Sequence, residues 1–160
     1  MFTIAEALRP DLVLIARSLF REYELSIGVD LSFQGFIQEI ENLPGKYAPP
    51  EGALFIALED ENPMGCVALR PFDAGSTAEL KRLYVRPEAR GKGLGLLLTN
   101  TAIQRARKAG YRAIRLDTLS TMKDAQQLYR RLGFKEIVPY TFNPFPGASF
   151  LELDLDEDLT

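Results

Sequence analysis

Residues 83 to 96 read LYVRPEARGKGLGL and constrain the chain more than any other stretch. A β-prone run meets a proline, glycines follow at alternate positions (Gly91, Gly93, Gly95), and an apolar helical pattern starts directly after them. Strand, turn and helix must follow one another in that order. Glycine at such a turn admits φ > 0 and leaves no side chain in front of the backbone. Successive N–H groups can then converge at the positive end of the helix, a geometry that suits a multiply charged phosphate. Arg86, Arg90 and Lys92 surround the turn with cations. Two common phosphate motifs do not fit. The P-loop needs Gly-x4-Gly-Lys-Ser/Thr, and Lys92 is followed by Gly93. The dinucleotide fingerprint needs a third glycine where Leu96 stands, although Asp117, about twenty residues on, mimics its ribose-binding acid. A turn built for packing alone leaves the basic residues without a purpose.

Around this turn the period of the sequence changes. Phe2 to Ala5 suits a short strand. After Pro10, apolar residues recur at helical spacing until Gly28, and a second helical stretch covers Phe33 to Leu43 before Pro44 and Gly45. Tyr47 to Gly52 is a loop. Leu54 to Glu59, Met64 to Arg70 and Ala78 to Val85 are strands separated by turns at 60–63 and 73–76, which predicts an antiparallel meander. A helix over Leu96 to Lys108, a strand over Ala113 to Leu119 and a helix over Lys123 to Leu132 follow. Phe134 to Val138 starts another strand, Pro139 to Gly147 is a stiff loop, and Phe150 to Leu155 alternates as a last strand. Helices between late strands predict parallel neighbours there. The expected architecture is α/β (α+β): a mixed, mostly antiparallel twisted sheet of about six or seven strands, helices on both faces.

Composition narrows the chemistry. The chain has 160 residues with no histidine, so a Ser-His-Asp triad, a Cys-His dyad and imidazole metal ligands are excluded. Cys66 is the only cysteine, which forbids an internal disulfide and a thiolate cage, and it reads as a small buried hydrophobe. No metal is expected. A net charge of −3 speaks against nucleic acid as a partner. No apolar run spans a bilayer and the N-terminus lacks a signal-peptide layout, so no membrane partner and a cytoplasmic location are expected. The length suits one domain, 1–160.

Arg90-x-x-Gly93-x-Gly95 behind Leu83-Tyr84-Val85 resembles the acetyl-CoA loop of the GNAT superfamily of N-acetyltransferases. AQQLYRRLGFKE, from Ala125 to Glu136, resembles the same family's A-x-x-L-Y-x-x-L-G-F segment in place and spacing. The element order matches as well; the likeness is tight over 78–136 and looser over 54–155. The resemblance implies an acyltransferase that moves an acetyl group from acetyl-CoA to a primary amine, of a small molecule, by direct attack in a ternary complex. A non-catalytic CoA-binding regulatory module is the alternative, and a nucleotide-binding oxidoreductase domain a more distant one. In the family the sheet splays between the strand before the loop and the strand after the next helix, here Ala78 to Val85 and Ala113 to Leu119. The resemblance puts the pantetheine arm along Leu83, Tyr84 and Val85 and the diphosphate on Arg90, Gly91, Lys92, Gly93, Leu94 and Gly95. Met122 stands where many members carry an asparagine that helps hold the cofactor.

The same implied reaction assigns roles. Tyr129 resembles the family's proton donor to the departing thiolate, and a backbone N–H near Leu83 to Val85 is the oxyanion donor. Without histidine the base falls to a carboxylate, Glu79 first and Asp117 second, with burial expected to raise the pKa of Glu79. Arg70, Lys81 and Arg82 are cations in central strands, where an acceptor carboxylate or phosphate gives them a partner; cross-strand pairing is the competing reading. Tyr140 and Asn143 in the loop YTFNPFPG are expected to line the acceptor pocket, with Asp117. The identity of the acceptor is open, and so is a homodimer.

Overall fold

The apolar stripe after Pro10 forms α1 (Pro10–Ile27), which ends at Gly28 with φ 69° and a Gly28 N–H donated to Leu25 O. Leu12, Ala16, Leu19 and Phe20 are its buried face. The second stripe is not one helix: a 3-10 turn at Ser32–Gln34 and α2 (Phe36–Glu41) are separated by Gly35 at φ 71°. Left-handed backbone at that glycine interrupts the helical hydrogen-bond ladder. The computed structural model describes residues 1–73 and 75–156; Ala74 of the expected turn at 73–76 lies outside the described residues.

The remaining elements are β1 (Phe2–Glu6), β2 (Ala53–Glu59), β3 (Asn62–Pro71), β4 (Thr77–Val85), α3 (Leu94–Lys108), β5 (Ala113–Thr118), α4 (Lys123–Arg131), β6 (Lys135–Ile137) and β7 (Ser149–Asp154). They build a seven-stranded sheet in the order β1-β2-β3-β4-β5-β7-β6, antiparallel except at β4–β5. β6 does not lie beside β5. β7 occupies that position, pairing Leu151 with both Leu116 and Glu136. Burial explains the order: Phe150, Leu151 and Leu153 need cover on two faces, whereas short, exposed β6 suits an edge.

α1 and α2 cover one face of the sheet, α3 and α4 the other. Leu94, Leu98, Ala102 and Ala106 of α3 pack on Val67, Leu69, Ala78, Leu80, Ile114 and Leu116. Each such leucine removed from water contributes about 1.5–3 kcal/mol. Leu19 and Phe20 of α1 meet Leu54, Ile56, Cys66, Ala68 and Tyr84 on the opposite face. Among the described residues no helix is long and apolar enough to cross a membrane.

One irregularity shapes the cleft between β4 and β5. The β3–β4 register shifts between Cys66↔Tyr84 and Ala68↔Lys81, so β4 carries an extra residue there, and Arg82 has φ 61°. A bulge of this kind bends its strand. β4 and β5 pair only at Thr77↔Ala113, Ala78↔Ile114 and Glu79↔Arg115; from Leu80 onward β4 has no strand partner on that side.

Candidate functional site: a cleft between diverging strands

The cleft opens where β4 and β5 part and has two connected ends. The larger is a cavity of about 460 Å³ lined by Leu83, Tyr84, Val85, Arg90, Gly91, Gly93, Leu94 and Gly95 on one side and by Met122, Asp124 and Leu128 near the start of α4 on the other. The smaller, about 30 Å³, lies deeper and is lined by Lys81, Arg82, Asp117, Tyr129, Gln34 and Asn143 among others. Tyr23, Ile27, Leu83 and Met122 line both.

The larger end is built from backbone. α3 begins at Leu94, two residues before the expected start, with Gly93 as its N-cap at φ 81°. The N–H groups of Gly91 through Leu96 find no acceptor among the described residues, and the first helical bond of this turn is Leu97 N–H to Gly93 O. A Cβ added at Gly91 or Gly93 meets nothing within 4 Å, so open space stands beside these amides. The N-terminus of α4, capped at Met122, faces the same cavity. Free amides and two positive helix ends together make a cradle for an anion such as a diphosphate. Arg90 donates from Nε to Val85 O at 3.0 Å, tying the loop to the strand end, and Lys92 is exposed. Arg86 is taken by Glu22, with Nε and Nη2 at 2.9 and 2.7 Å from its carboxylate.

The smaller end is built from charged side chains, all on the face of the sheet opposite α3. Arg82 donates to Glu39 from Nε and Nη2 (2.9 and 2.8 Å) and to Gln34 from Nη1 (2.7 Å), and its guanidinium lies 5.1 Å from the Phe36 ring centroid. Its bidentate pair locks the bulge. Arg70 reaches Glu79 at 2.9 and 2.8 Å, and Tyr140 donates its hydroxyl to the other Glu79 oxygen at 2.9 Å. Burial raises the Glu79 pKa, but the charges of Lys81 and Arg70 and the hydrogen bonds from Tyr140 and Arg70 outweigh it and hold the carboxyl below the ordinary glutamate value. The expected upward shift is therefore reversed, because burial brings cations with it. Asn143 donates to Asp117 at 3.1 Å, and Lys81 Nζ stands 3.7 Å from the other Asp117 oxygen. Burial pushes Lys81 below the ordinary lysine value, although Glu79 and Asp117 oppose the fall.

Tyr129 is 4% exposed, its ring 5.5 Å from that of Phe134. Burial raises its pKa far above the usual tyrosine range, so the hydroxyl keeps its proton, and no hydrogen bond from it is found among the described residues. Phe33 lines the smaller cavity and stands edge-on to Phe142 and Phe145.

The cleft thus gathers most of the residues singled out in the sequence around its two ends, whereas Glu79, Arg70, Tyr140 and exposed Lys92 are not among its lining. Tyr23, Ile27, Gln34 and Glu39 escaped sequence reasoning. Tyr23 reads as one more residue of an apolar stripe, and nothing local marks Gln34 or Glu39. Their only signal is that strand cations such as Arg82 require acids somewhere.

Residues 15–134 match the family model described as the acetyltransferase (GNAT) family. The chain is 42% identical over 142 residues to an uncharacterized N-acetyltransferase of Schizosaccharomyces pombe, covering 88% of this chain and 87% of that one. An acetyltransferase from Streptococcus agalactiae superposes with a TM-score of 0.76 at 28% identity, over 96% of this chain and 98% of that chain. A putative acetyltransferase from Salmonella typhimurium, solved with its cofactor acetyl-CoA, shares the fold with a TM-score of 0.69 at 24% identity, over 99% of this chain and 96% of that one.

Proposed function

The chain belongs to the acetyltransferase (GNAT) family, and from that premise we propose that it uses acetyl-CoA to acetylate a primary amine of a small molecule, with residues 1–160 working as one domain. The observation that carries the cosubstrate is the run of free amides from Gly91 to Leu96 beside a cavity of about 460 Å³. Open space at the Cβ positions of Gly91 and Gly93 fits a diphosphate against those amides, with Arg90 and Lys92 adding screened attraction. The unpaired edge of β4 at Leu83, Tyr84 and Val85 offers main-chain groups to the amide-bearing arm.

The bound thioester supplies an acyl carbon open to attack, its carbon–sulfur bond breaking with the electron pair left on sulfur as the carbon–nitrogen bond forms. Tyr129 holds a proton at Oη for that sulfur, in a setting that keeps the phenol neutral. Asp117 is the carboxylate among the lining residues of the smaller cavity, and the amine proton leaves by way of it and water. Glu79 is a positioning residue in this scheme: Arg70 and Tyr140 occupy its oxygens, and it helps keep Lys81 charged. The meeting of both ends of the cleft at Leu83 and Met122 supports direct transfer within a ternary complex.

Calorimetric titration of the intact chain with CoA and with pantetheine tests the cosubstrate site. CoA is expected to bind at least about 100-fold more tightly, because pantetheine lacks the diphosphate and the phosphorylated adenosine it carries. Equal affinities overturn the assignment.

A further inference from the structure

The side chain of Lys81 is 6% exposed, and its ammonium carries three N–H donors. Gln34 Oε1 accepts one at 3.2 Å. Asp117 and Glu79 stand at 3.7 and 3.9 Å, close enough to hold the charge and too far to accept good hydrogen bonds. A buried ammonium with unfilled donors is costly, and this one lines the smaller cavity. Its neighbours are already matched: Arg82 with Glu39, Arg70 with Glu79. Lys81 and Asp117 remain as the pair facing the cavity, one positive and one negative charge 3.7 Å apart on one wall.

That wall discriminates among amines by charge. A polyamine, an aminoglycoside or a simple ammonium ion brings uncompensated positive charge into a buried site next to Lys81. A molecule with a carboxylate one carbon from its amine brings none. Its carboxylate fills the free donors of Lys81 while its ammonium meets Asp117; the cavity of about 30 Å³ takes about two water-sized groups, and the rest of the molecule extends past Leu83 and Met122 into the larger end.

We infer that the acceptor is a zwitterionic α-amino acid, gripped by Lys81 through its carboxylate and by Asp117 through its ammonium. This rests on the N-acetyl transfer reading above and names its acceptor class. In the transfer, one ammonium proton passes to Asp117 and on to water. The freed nitrogen pair forms the bond to the acyl carbon, the thioester bond gives its pair to sulfur, and the second nitrogen proton reaches sulfur through Tyr129. The products are an N-acetyl amino acid, the thiol and one released proton.

Thiol release from acetyl-CoA is measured with the intact chain against the common α-amino acids, their decarboxylated amines, spermidine and kanamycin, alongside calorimetry with acetyl-CoA. The best amino acid is expected to exceed its decarboxylated amine at least about 100-fold in kcat/KM. Lys81→Met is expected to cut kcat/KM for that amino acid about 50-fold, mainly through KM, and for the decarboxylated amine no more than about fivefold, with Lys81→Arg recovering part of the loss. A decarboxylated amine, spermidine or kanamycin equal to the best amino acid overturns the assignment, as does Lys81→Met striking both acceptors alike. If acetyl-CoA binds and no amino acid is acetylated, the acceptor class alone falls. If acetyl-CoA does not bind, the transferase reading falls with it.

Discussion

The two ends of the cleft are made of different material. At the larger end the groups proposed to meet the ligand are main-chain amides from Gly91 to Leu96, left unpaired by a left-handed glycine at a helix start. At the smaller end they are charged side chains, Lys81 and Asp117, held in place by further buried charges behind them. Backbone groups need no charged partner elsewhere in the chain, so the amides of that end are set by one local segment, with the start of α4 facing them. The charged end depends on distant neighbours: Arg82 on Glu39 and Gln34, Glu79 on Tyr140. Damage at the first end should cost ligand and leave the fold; damage at the second should cost the fold as well.

The largest expected effect lies at the charged end. Glu79→Gln keeps the shape but leaves Arg70 and buried Lys81 short of an anion, with a loss of about 3 kcal/mol of stability. For a domain of this size that lowers Tm by about 6–12 °C in calorimetry at neutral pH. The pH dependence follows from the direction of the shift. The folded Glu79 carboxyl sits below its ordinary value of 4.5, so its contribution is complete above that pH and is lost as pH falls through the folded value. The gap between wild type and Glu79→Gln should therefore shrink on acidification below about pH 4.5. A variant as stable as wild type at pH 7 breaks the contrast between the two ends.

The second effect tests the backbone end. Gly93→Val puts a β-branched residue at φ 81° and fills space that is open in front of the amides. Strain of about 1–2 kcal/mol is expected in the fold, against a loss of about 30-fold or more in acetyl-CoA affinity by calorimetry. A variant that loses stability and keeps its affinity reverses the comparison.

This difference in material also decides what could be read in advance. The glycine spacing at 91, 93 and 95 announces the cradle because a turn of that kind is encoded within a few residues. The meander, the helix after the loop and the Tyr129 helix were legible for the same reason. The start of α3 at Leu94 and the break at Gly35 were not, since each turns on the φ of one glycine. The insertion of β7 between β5 and β6 is a long-range choice that no local pattern carries. The bulge at Arg82 was hidden altogether: arginine at φ 61° is held there by an acid forty-three residues away. The direction of the Glu79 shift failed for a different reason: Arg70 and Lys81 were legible as cations able to pair with it, but that their charges outweigh burial depends on three-dimensional distances.

The smallest effect sharpens the contrast. Arg90 is exposed, and its Nε is already donated to Val85 O, so its share in holding a diphosphate is that of a screened surface charge. Arg90→Ala should raise KM for acetyl-CoA about threefold at low salt, and the difference should fade near 1 M salt, where the screening length is about 3 Å. Free amides at the same site survive every substitution except proline and, lying against the ligand, are screened much less. If Arg90→Ala instead costs more than about 30-fold and the loss survives high salt, the anion is held by side chains, and the larger end of the cleft works on the same terms as the smaller one.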